Sequence, residues 1–68
     1  MSFGTRRSDI KTGQSVGIVL KEDQKTGYIT YGIVQQILTS SKTHPHGIKV
    51  RLTTKEVGRV VTAPTKLP

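Results

Sequence analysis

The sequence predicts an all-β fold, a small open barrel of four to five antiparallel strands. Three observations predict it: apolar residues recur with a period of two, β-branched and aromatic residues crowd the same segments, and no stretch carries the 3.6-residue period of an amphipathic helix. The 68 residues allow a single domain. A core of that size buries only roughly 60% of the unfolded surface, so it must be compact.

Four strands follow in order. The first spans residues 14–20, entered through Gly13, with Val16, Ile18 and Leu20 on one face. The second spans residues 28–38 and is rich in Tyr, Ile and Val. Its alternation slips: Ile29, Tyr31 and Ile33 lie on one parity, Val34, Gln36 and Leu38 on the other. A β-bulge near Gln35 and Gln36 reconciles the two, and Gly32 lets the strand bend. The third, residues 47–52, puts Ile48, Val50 and Leu52 on one face and Lys49 and Arg51 on the other. The fourth spans residues 57–61. Polar loops at 21–27 and 39–46 and a hairpin-length link at 53–56 suit antiparallel neighbours. A barrel of strongly bent short strands, SH3-like in kind, limits exposed sheet edges in a chain too short for a sandwich. The buried set expected is Ile18, Val34, Ile37, Ile48, Val50 and Val60. Residues 1–9 read as a flexible basic tail, 10–62 as the barrel and 63–68 as a second flexible tail.

Composition excludes several function classes. There is no cysteine, so no disulfide and no thiolate metal site. The first thirteen residues hold no apolar h-region, and no apolar run approaches the roughly 20 residues of a membrane helix. A cytoplasmic protein without a membrane partner is expected. Eleven Lys and Arg against four Asp and Glu give a net charge of +7 and a pI near 10.3, which favours an anionic partner.

Residues 9–27 (DIKTGQSVGIVLKEDQKTG), 32–38 (GIVQQIL), 43–52 (THPHGIKVRL) and 57–60 (VGRV) together resemble the YwbE-like family of small uncharacterised prokaryotic proteins. Segment 43–52 is the most specific part of that resemblance, which spans about three-quarters of the chain. The segments GQSVGIVL and GIVQQIL are also similar to strands of KOW and Tudor-type SH3-like barrels. The resemblance implies the barrel and carries no activity with it. Where the family has a glycine turn before the last strand, this chain has Thr53, Thr54, Lys55 and Glu56.

His44–Pro45–His46 invites a metal reading. A zinc site, however, needs three or four ligands converging at about 2.0–2.1 Å, and proline between the histidines favours an extended backbone that turns the rings apart. No metal or other cofactor is expected. The simpler roles are a braced turn or an RNA-facing imidazole. Ser40, Ser41, Thr39 and Thr43 lie near the histidines, yet four acids in the whole chain offer little to orient a base, so the cluster reads as turn chemistry and no enzyme is expected. No Walker A or dinucleotide-binding glycine pattern is present.

The sequence points instead to a nucleic-acid surface, RNA or a ribonucleoprotein. No Asp or Glu stands between Asp23 and Glu56, a stretch that carries Lys25, Lys42, Lys49 and Arg51. Lys49, Arg51 and Arg59 form a cationic strip if strands three and four pair. Lys42, His44 and His46 add a loop contact, and Lys21 and Lys25 extend the strip. Tyr28 and Tyr31 have opposite parity, so at most one enters the core and the other offers a stacking face. A protein-interaction adaptor on the same barrel is the alternative, disfavoured by only three aromatic residues.

Overall fold

The computed structural model describes residues 4–62. Four strands run β1 (Ser15–Leu20), β2 (Thr30–Ile37), β3 (Lys49–Leu52) and β4 (Val57–Thr62). Each pairs antiparallel with the next, and β1 also pairs with β4, so the sheet closes on itself. The result is a small SH3-like barrel, closed rather than open, with no unpaired edge among these strands. Short 3-10 turns at Arg7–Asp9 and Lys21–Asp23 are the remaining elements.

Period two explains the core. Val16 and Ile18 of β1, Val34 of β2, Val50 and Leu52 of β3 and Val60 of β4 point inward with Ile48 and Ile10 and are almost wholly buried. Leu20 and Ile37 pack against them half-exposed. Ile37 was expected inside. It is the last residue of β2, opposite Val50 just past the bulge, and packs against the core only in part.

That bulge sits where the parity slip requires it. Val34 pairs with Leu52 and Gln36 with Arg51, leaving Gln35 as the extra residue. Gly32 faces inward just before it. A Cβ there would stand 2.7 Å from Leu52 Cδ1, so glycine makes the room that Leu52 fills.

The 53–56 link solves its turn without glycine. Lys55 takes φ +85°, its amide donates to the Leu52 carbonyl at 2.9 Å, and the Leu52 amide donates to the Glu56 carbonyl at 2.8 Å. The Thr54 hydroxyl donates to the Glu56 carboxylate.

The N-terminal segment corrects the sequence reading. Residues 4–9 were expected in a mobile tail, but residues 4–7 run antiparallel to 42–48. The Ile48 amide donates to the Gly4 carbonyl at 2.6 Å, the His44 amide to Thr5 at 2.8 Å, and the Arg7 amide to Lys42 at 2.7 Å. Arg6 and Thr43 form a β-bridge. Those backbone bonds need no apolar side-chain pattern, which is why composition missed them. Residues 1–3 and 63–68 of the two expected tails lie outside the described residues.

Candidate nucleic-acid interface

Burial of Val50 turns Lys49 and Arg51 to the outer face of the barrel, as the register requires. Pairing then sets their neighbours. Lys49 stands opposite Arg59, and Arg59 opposite Val19, so one row crosses three strands as Lys49, Arg59, Val19. Arg51 belongs to the next row, between Val57 and Gln36, and its guanidinium donates to Gln36 Oε1 at 3.2 Å.

Arg59 is the centre of this surface. Half-buried, it donates from Nη1 to the Gly47 carbonyl at 3.0 Å and so ties β4 to the turn before β3. Two adjoining clefts share it. One is lined by Val19, Lys21, Gln24, Lys49, Val57 and Gly58, the other by Val19, Gln24, Gly27, His46 and Val61. The surface therefore has an apolar floor of valines under a rim of Lys21, Lys49, Arg59 and His46. Lys21, expected only as an extension, belongs to it. Gln24 and the valines carried no signal in the sequence, because a half-exposed valine on an outer face reads as an ordinary strand residue.

The histidine turn is an ordered corner. Gly47 takes φ +103°, and a Cβ there would stand 2.6 Å from the Val60 carbonyl oxygen, so glycine is required twice over. The two imidazole centroids lie 5.9 Å apart at 51°. His44 Nδ1 accepts the His46 backbone amide at 3.2 Å, the geometry of a side chain capping its own turn. Loss of solvent, then the Arg59 charge, then that of His46, lowers the His44 pKa below the ordinary histidine value. The nitrogen that would take the proton is already an acceptor, so near neutral pH His44 braces the corner without carrying charge. Among the described residues no three His, Asp or Glu side chains converge as metal ligands.

Lys42 does not join the other predicted site residues. It lines a separate cleft with Arg6, Arg7, Ser8, Ser40 and Thr43. The structure thus brings together Lys49, Arg59 and His46, sets Arg51 one row away, makes His44 a brace, and moves Lys42 to new company. Tyr28 and Tyr31 are 66% and 59% exposed, so neither enters the core. Tyr31 pairs with Gly17, where an added Cβ would meet its ring at 2.9 Å, so the ring lies across the β1 backbone. Ile33 and Val61 are also partly exposed. Among the described residues no helix is long and apolar enough to cross a membrane.

Comparison with known proteins places most of the chain in one family. Over 56 residues the chain is 57% identical to an uncharacterized protein, YwbE, of Bacillus subtilis (strain 168), covering 82% of this chain and 86% of that one. No solved structure matches. A family model described as an uncharacterized conserved protein, DUF2196, matches residues 3–63, which takes in the docked N-terminal segment as well as all four strands. The chain belongs to that family.

Proposed function

We propose that this protein is a small, non-catalytic nucleic-acid-binding module whose partner is RNA or a ribonucleoprotein in the cytoplasm. The observation that carries the reading is the Lys49–Arg59 pair. Like charges directly opposite on neighbouring strands destabilise a sheet. The ion pair found among the described residues, Arg6 with Asp9, lies elsewhere. An uncompensated cationic row with Lys21 and Arg51 beside it gains a counterpart when a phosphate backbone lies across it. The valine floor and the exposed Tyr31 ring suit unstacked bases, so a single strand fits better than a duplex.

A labelled single-stranded oligonucleotide titrated at low salt tests this, with micromolar or weaker binding expected. Lys49→Glu with Arg51→Glu should abolish binding while the fold, followed by circular dichroism, persists.

The exposed apolar side chains Tyr31, Ile33 and Val61 favour a second reading, an adaptor that binds an extended peptide. A protein partner held on that apolar surface would survive the same double charge reversal. A pull-down with and without nuclease separates the two readings.

A further inference from the structure

The cleft formed by Arg6, Arg7, Ser8, Ser40, Lys42 and Thr43 exists only because the N-terminal segment docks on the 42–48 loop. It gathers three cations and three hydroxyls on one concave surface. Among the described residues both arginines are anchored through Nε alone: Arg6 Nε donates to Asp9 Oδ2 at 3.4 Å, and Arg7 Nε donates to the Thr39 carbonyl at 2.9 Å. A guanidinium has five N–H donors, of which Nε supplies one, so each anchored side chain keeps its forked terminal nitrogens for a ligand. Such forks match the oxygen spacing of phosphate.

Thr39 joins this cleft to the barrel surface. Its carbonyl holds Arg7 and its hydroxyl accepts the Lys49 amide at 2.8 Å, so one residue anchors a member of each cationic group. We propose that the cleft is a second phosphate-binding site, which receives a backbone phosphate of the same nucleic-acid strand that crosses the Lys49–Arg59 row. The strand part of this proposal rests on the nucleic-acid reading above; the phosphate site does not.

The test has two arms, each comparing the full chain with the double variant Arg6→Gln, Lys42→Gln, which leaves the Arg7–Thr39 bond in place. In the first, inorganic phosphate is titrated at low ionic strength and backbone amide shifts are followed by NMR. Saturable shifts at residues 6–8 and 39–43, lost in the folded double variant, are expected. Shifts that do not saturate, or that spread over every lysine and arginine, overturn the site. In the second arm, oligonucleotide affinity is measured against salt. Losing the one phosphate held in the cleft should flatten the log–log slope by about 0.7. An unchanged slope in a variant that still binds overturns the shared strand. Local phosphate shifts in a chain that binds no oligonucleotide would keep the phosphate site, overturn its strand, and end the nucleic-acid reading.

Discussion

His44 shows how one side chain trades charge for structure. Its Nδ1 accepts the His46 amide, and its pKa lies below the ordinary value. An unfolded chain protonates this imidazole near pH 6.5, while the folded chain holds it neutral to lower pH. The unfolded state therefore binds more protons as pH falls. The contribution of His44 to stability is complete above about pH 6.5 and is lost as pH drops from there through the depressed folded value. Asparagine's side-chain oxygen accepts the same i+2 amide and does not titrate. His44→Asn should accordingly show a smaller fall in urea midpoint between about pH 7.5 and 5.5 than the parent; an equal fall would assign the pH dependence to other groups. Val50 is fully buried at the centre of β3, so Val50→Ala should cost about 1–3 kcal/mol in denaturant melts. Lys55 holds a left-handed conformation that suits glycine, and Lys55→Gly should stabilise the chain by about 0.5–1 kcal/mol, provided the turn keeps its shape.

Strands were the most legible elements because period two writes burial directly into the residue order. Residues 48–52 gave register, inner face and outer face at once, and the broken parity of residues 29–38 located the bulge. The N-terminal segment was illegible for the opposite reason. Its backbone amides and carbonyls pair with a loop some 40 positions away, and such pairing leaves no trace in side-chain type. Losing that segment also hid Arg6 and Arg7 as partners of Lys42. Closure of the barrel left an equally faint sign, a glycine in β4: a Cβ on Gly58 would stand 2.5 Å from the Val19 carbonyl oxygen, across the β1–β4 seam. Gly58→Ala should therefore cost about 1–3 kcal/mol through crowding, with amide exchange accelerated first in β1 and β4. Faster exchange confined to β2 and β3 would mean the seam is not where the strain falls.

Taken whole, the molecule divides its surface. The inner faces of four strands form one small apolar core, and the net charge of +7 is spread over the outside. Part of that charge is local bracing, as when Arg59 holds the Gly47 carbonyl and Arg51 holds Gln36. Arg59 also stands opposite Lys49 in a cationic row that crosses β3 and β4, is edged by Lys21 and has no carboxylate partner among the described residues. Under the proposed reading the partner meets the outer face of the barrel, where electrostatics sets both rate and salt sensitivity. The most direct measurement is the affinity of the intact chain for a labelled single-stranded RNA across a series of salt concentrations. With three to five phosphates engaged, log affinity should fall against log salt with a slope of about −2 to −4. No measurable binding at low salt, or binding indifferent to salt, would contradict the claim that this surface receives a phosphate backbone.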